Sequence, residues 1–167
     1  YPELALATGT THDIPTLVGW FAARDVATRA RIGLLGPEEA ERDERARRLD
    51  VTRLLDAFAA AGEIGGGAGD YDSLHRIIDA KPDDARAYDP LVRAAYRFLA
   101  ASPAKLVLIS LDDALGEFEQ VNVPGTFVEY PNWRRKNCIG LEDIASDPRI
   151  AALAADVDVR VRKGAPI

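Results

Sequence analysis

His12 and Asp13 stand side by side behind a threonine pair, Thr10 and Thr11. A carboxylate beside an imidazole suits three kinds of chemistry: metal binding, a nucleophile triad, or recognition of sugar hydroxyls. A metal needs further ligands. The only other histidine, His75, lies between Leu74 and Ile77 in a helical pattern, where packing explains it. A triad needs an activated nucleophile. Ser73, Ser102, Ser110 and Ser146 have no glycine frame of the elbow type, and Cys138 has no identifiable base. A sugar needs carboxylates and amides for its hydroxyls and aromatic rings for its faces. Asp13, Asn122, Trp20, Tyr130 and Trp133 are of those types. The plain alternative stays open: Asp13 precedes Pro15 and would serve as the N-cap of a helix beginning there.

These residues fall in two polar stretches, each after a candidate strand. Leu4 to Thr8 is short, apolar and bounded by Gly9. Lys105 to Ser110 (KLVLIS) is a continuous apolar run, expected to be buried on both faces as in a parallel sheet. If the strands are parallel neighbours, Thr10 to Asp13 and Asp112 to Asn132 share the carboxyl-end edge of one sheet, where ligands of such sheets bind. Between the strands the pattern is helical. One helix is expected from about Pro15 to Ala23, continuing towards Ile32 after a break. A long one follows Gly36-Pro37, highly charged at its start and carrying Val51, Leu54, Leu55 and Phe58 near its end. Others are expected over Tyr71 to Asp79 and Asp84 to Ala101. GEIGGGAG (62–69) reads as a flexible loop, since it lacks the Gly-Lys-Ser/Thr ending of a phosphate cradle. Residues 111–141 form a long Pro- and Gly-punctuated loop, in which Trp133, Arg134 and Arg135 make either a cation–π platform or a pin to the body. A last helix starts at Asp147-Pro148 and runs to about Ala155. The alternating valines 157, 159 and 161 suit an edge strand or extended tail. The class is α/β, dominated by helix.

Composition narrows the partners. The formal net charge of -6, with no basic block, argues against nucleic acid or an anionic membrane surface. A single cysteine excludes an internal disulfide framework and a cysteine-rich zinc site. No apolar run is long enough to span a bilayer and no signal peptide is visible, which points to the cytoplasm. No metal or organic cofactor is implied. The sequence starts at Tyr1 and contains no Met, as expected of a piece cut from a longer chain.

ALATGTTHDIPTLVGW (5–20) and QVNVPGTFVEYPNWRRK (120–136) closely resemble two motifs of the 4-α-glucanotransferases (amylomaltases, disproportionating enzymes), glycoside hydrolase family 77. The resemblance covers nearly the whole chain but only the C-terminal part of a family member. It implies a fragment of a (β/α)8 TIM barrel, in which Leu4 to Thr8 is the seventh strand and Lys105 to Ser110 the eighth. Residues 24–101 would be a helical insertion between them, and 1–167 a single C-terminal segment of the catalytic barrel. It further implies transfer of α-1,4-glucan segments to the 4-hydroxyl of an acceptor sugar with retention. In the family pattern Asp13 is the transition-state stabiliser, with His12 beside it on the sugar and Asn122 towards donor-side sugars. Trp133 and Arg134 look like a loop anchor. The motifs that carry the family's nucleophilic Asp and acid/base Glu are absent, so the implied partner is the missing N-terminal part of the same chain. A retaining reaction needs both carboxylates, and the chain alone is expected to be inactive. The rival expectation is a self-folding helical module that binds glucan or a protein partner without catalysis.

Overall fold

The structure is a computed structural model and describes residues 2–65 and 69–164. Among the described residues, two short strands and seven α-helices follow in the order β1 (Leu6–Thr8), α1 (Leu17–Phe21), α2 (Arg24–Arg31), α3 (Pro37–Ala60), α4 (Tyr71–Ala80), α5 (Asp89–Ala100), β2 (Leu106–Leu108), α6 (Leu111–Ala114) and α7 (Pro148–Gly164). Single 3-10 segments lie at Ala85–Tyr88 and Leu141–Ser146.

The strands pair in parallel, with Leu6 opposite Leu106 and Thr8 opposite Leu108. Parallel neighbours need a long crossover, and here α1 to α5 provide it. Both chain exits therefore lie at one sheet edge, as the sequence predicts. Burial differs from expectation. Ala7 is buried beneath α5, but Leu6, Leu106 and Leu108 are 48%, 61% and 52% exposed on the opposite face. KLVLIS is thus not covered on both faces: among the described residues no element packs on that side.

The helical body makes its own core. Helix α3 begins with Pro37 in its first turn, where the missing N–H costs nothing, and the Glu39 carboxylate accepts the Gly36 N–H at 2.8 Å. The helix runs unbroken to Ala60. Its inner stripe, Val51, Leu55 and Phe58, packs with Phe21, Leu74, Leu91, Tyr88 and Tyr96. Ala23, at φ 55°, turns the chain between α1 and α2. The buried Asp25 on α2 then receives both Arg47 nitrogens of α3, at 2.8 and 2.9 Å, while Arg47 also stacks 4.6 Å from the Trp20 ring. Trp20 is spent on this clamp. His75 stacks on Tyr71 at 4.9 Å, the packing role its neighbours suggested.

The last helix corrects the tail. Asp147 accepts the Arg149 N–H at 2.9 Å as a cap should, but α7 continues through Asp158 to Gly164 instead of ending near Ala155. Leu153 is buried, and Asp156 takes two bonds from Arg93 of α5, at 2.6 and 3.0 Å. The alternation read as strand-like is overridden by this docking to α5. The Gly62 to Gly69 loop falls partly outside the described residues.

Candidate functional site

The segment between β1 and α1 carries His12 and Asp13. Helix α1 starts at Leu17, two residues later than expected, and its cap is Thr16, whose hydroxyl oxygen accepts the Gly19 N–H at 3.0 Å. Asp13 therefore caps nothing. Its Oδ1 instead accepts the side-chain N–H of Asn122 at 2.8 Å, across 109 residues of sequence. Its Oδ2 lies 3.3 Å from His12 Nε2. The imidazole in turn meets the Trp133 indole at 5.2 Å between ring centroids, tilted by 45°. His12, Asp13, Asn122 and Trp133, all singled out from sequence, form one surface cluster. His12 and Asp13 are each more than half exposed.

The cluster stands between two depressions. The smaller, about 270 Å³, lies over the strand ends and is lined by Thr8, Thr10, His12, Ser110, Asp112 and Gln120, among others. The larger, about 540 Å³, is formed by residues 122–134 and includes Asn122, Phe127, Trp133 and Arg134. An exposed carboxylate, an amide, an imidazole and an indole face beside open grooves make a set suited to vicinal hydroxyls.

The long loop is more ordered than a run of Pro and Gly suggests. Asn132 Oδ1 accepts the Val123 N–H, and its amide donates to Thr126 Oγ1, each at 2.8 Å. Tyr130 is buried and its hydroxyl donates to the Gln120 carbonyl at 2.7 Å, so it is a strut and not a sugar platform. Arg135 pins the loop through Asp112 at 2.7 Å and Glu117 at 3.3 Å. The pin expected of Trp133, Arg134 and Arg135 is thus Arg135. Trp133 sits at φ 61°, a left-handed conformation unusual for a bulky residue, with its N–H on the Val121 carbonyl at 2.9 Å and the residue 62% exposed. Cys138 is exposed, with Arg149 Nη2 3.9 Å from its sulfur.

Beneath the cluster lies a buried carboxylate whose role sequence reasoning missed. Asp113 is 2% exposed. Its Oδ2 accepts from the hydroxyls of Thr10 at 2.6 Å and Tyr96 at 2.7 Å, and its Oδ1 accepts the Leu17 N–H at 2.7 Å. The Tyr96 oxygen itself accepts the Ser110 N–H at 2.9 Å. Burial pushes the Asp113 carboxyl above the usual carboxylate range, and the three donors pull it back. Burial, reinforced by the neighbouring carboxylate, also raises the Tyr96 phenol. A carboxylate directly after an apolar strand was the available signal, but its neighbour Asp112 looks the same in sequence. Close approach completes the dock: a Cβ on Gly19 would collide with the Phe118 carbonyl oxygen, and Thr16 donates to the Glu117 carbonyl at 2.6 Å.

The family described as 4-alpha-glucanotransferase matches residues 1–139, most of the chain and both site segments. The chain belongs to that family. The 4-alpha-glucanotransferase of Mycobacterium tuberculosis is 35% identical over 162 residues, covering 93% of this chain and 20% of that protein. The enzyme of the same name from Haemophilus influenzae is 31% identical over 142 residues, covering 81% of this chain and 18% of its own length. The crystal structure of amylomaltase from Corynebacterium glutamicum superposes with a TM-score of 0.77 at 27% identity, over 94% of this chain and 22% of that one. This glucanotransferase-family chain thus spans about a fifth of the length of the curated relatives it matches. Among the described residues no helix is long and apolar enough to cross a membrane.

Proposed function

We propose that the chain supplies the last two strands of a (β/α)8 barrel in a 4-α-glucanotransferase, which moves α-1,4-glucan segments to an acceptor 4-hydroxyl with retention. In this reading β1 and β2 are the seventh and eighth strands, and residues 24–101 are a helical insertion between them. Asp13 is the transition-state stabiliser, and His12 and Asn122 hold sugar hydroxyls. The observation that carries it is the 2.8 Å bond joining Asp13 to Asn122 at the carboxyl ends of two parallel strands, the edge where barrel enzymes build their sites. The bare leucine face of the sheet fits the same reading, because barrel strands turn such residues into a shared interior.

The chemistry follows from charge. An oxocarbenium-like transition state gains positive charge at the sugar ring, so hydroxyls held by a carboxylate are bound more tightly there than in the ground state. His12 and Asn122 fix which way that carboxylate faces. Trp133 offers an apolar face beside it. Bond cleavage also requires a nucleophile and an acid/base, which we assign to the remainder of the parent protein.

The test is a transglycosylation assay on the purified chain with maltoheptaose. Turnover no greater than that of His12→Ala/Asp13→Asn is expected; turnover clearly above this control would overturn the assignment of the other two carboxylates to the missing part. In a full-length parent, Asp13→Asn should lower kcat by at least about a hundredfold, as removal of one transition-state hydrogen-bonding group does in other enzymes. An unchanged kcat would remove Asp13 from the mechanism.

A further inference from the structure

We propose that Asp113 is the positioning residue of this site, a buried strut that sets the spacing of His12 and Asp13 against Asn122 and Trp133. The inference rests on the glucan reading for what the site binds, but on geometry alone for what Asp113 does. The His12–Asp13 segment is held at both its ends by this one carboxylate: Thr10 before the pair and the Leu17 N–H after it. Through Tyr96, whose oxygen accepts the Ser110 N–H, the same carboxylate also governs the chain leaving β2. Thr10 and Ser110 each stand two residues beyond the last residue of their strand. Both strand exits are therefore referred to one point, and the 2.8 Å gap between Asp13 and Asn122 is set across it.

The residue type argues for the same role. A carboxylate buried with three donors and no cation is an expensive way to fill space. Three directed bonds, in contrast, specify one arrangement of the segments they join, which apolar packing does less well. His12 and Asp13 are themselves more than half exposed, so their placing depends on the backbone that carries them. Loss of the strut should leave the helical core standing, because most of that core comes from α1, α3, α4 and α5.

The test uses NMR on the whole chain. In the wild type, His12–Trp133 ring contacts should give strong cross-relaxation, and the Asn122 side-chain amide should show the shift of a carboxylate partner. Asp113→Asn, which cannot accept from all three donors, should weaken the ring contacts and return the Asn122 amide towards its free position while helix content stays. Leu74→Ala, which lowers stability from the far side of the core, should leave both signals in place. Unchanged signals in folded Asp113→Asn, or equal changes in Leu74→Ala, would overturn the proposal. If Asp113→Asn does not fold, Thr10→Val decides, since it frees the β1 exit alone: a weakened ring contact supports the strut, and an unchanged one overturns it. A maltoheptaose titration then separates the two readings. Binding about tenfold weaker in Asp113→Asn, equivalent to about 1.4 kcal/mol, supports both. If wild type fails to bind while the NMR differences persist, the strut stands and the glucan reading of this chain falls.

Discussion

In the helical body the large apolar side chains point inwards; on the two-stranded sheet they point out. Phe58, Leu55, Leu74 and Leu91 are at most 1% exposed, whereas Leu6, Leu106 and Leu108 are about half exposed. Both regions carry large apolar side chains, so the difference is one of partners. The body contains both sides of its own core. The sheet contains one side, with α5 beneath it and nothing described above it. The site lies on the border: it is tied downwards to the body through Asp113 and Tyr96 and open above. A chain spanning about a fifth of its relatives thus carries a finished scaffold and an unfinished wall.

The largest effect should come from testing that contrast directly. Phe58→Ala removes a ring packed on Phe98 at 5.3 Å and should cost about 3–5 kcal/mol in urea unfolding. Leu106→Ser, on the bare face, should stay within about 0.5 kcal/mol, the range of ordinary surface changes. A cost for Leu106→Ser near that of Phe58→Ala would mean that the sheet face is covered in solution. On the proposed barrel reading, Leu106→Ser in a full-length parent is expected to be strongly destabilising, because that face would then be interior.

A second contrast sets a buried ion pair against an exposed polar contact. Arg47 and Asp25 meet inside the body with little solvent around them. Asp25→Ala strands the guanidinium and should cost about 3 kcal/mol, as breaking buried pairs does. His12 and Asp13 meet in the open, so His12→Ala should shift stability by no more than about 0.5 kcal/mol while disturbing any sugar binding. If both variants destabilise equally, the site segment is part of the folding core, and its separation from the body is wrong.

How much of this was legible beforehand depends on what each residue answers to. Helices α3 and α4 answer to local periodicity and caps and lie close to their expected bounds, while the helix expected from Asp84 opens as a 3-10 segment at Ala85–Tyr88 and becomes α5 only at Asp89. The parallel pairing and the meeting of Asp13 with Asn122 were legible from two polar stretches after two apolar runs. Three things were not. The exposure of KLVLIS depends on what lies above the sheet, and a continuous apolar run carries no record of that. The valines after Asp156 alternate like a strand, but the backbone there continues α7. Asp112 and Asp113 are adjacent and identical in type, yet one takes a partly buried ion pair with Arg135 and the other the fully buried strut. Only the turn of α6 that follows β2 tells them apart.

The smallest effect concerns how firmly α7 belongs to the body. Arg93 beside Asp156 holds its carboxyl below the ordinary value of 3.8. A carboxyl depressed in the folded state contributes stability that is fully present above its unfolded value and is lost as pH falls through the folded one. Asp113 is shifted the other way by burial, so its contribution is present at low pH and fades as pH rises through its raised value. The two must be separated by subtraction. Arg93 is nearly half exposed, so solvent screening limits the Asp156 contribution to about 1 kcal/mol. Asp156→Asn should therefore lower the urea midpoint by a small, constant amount above about pH 5, and the gap to wild type should close as pH falls below 3.8. A gap that stays open in acid would show that α7 is held by Leu153 and its apolar neighbours, with the carboxylate of Asp156 contributing shape alone.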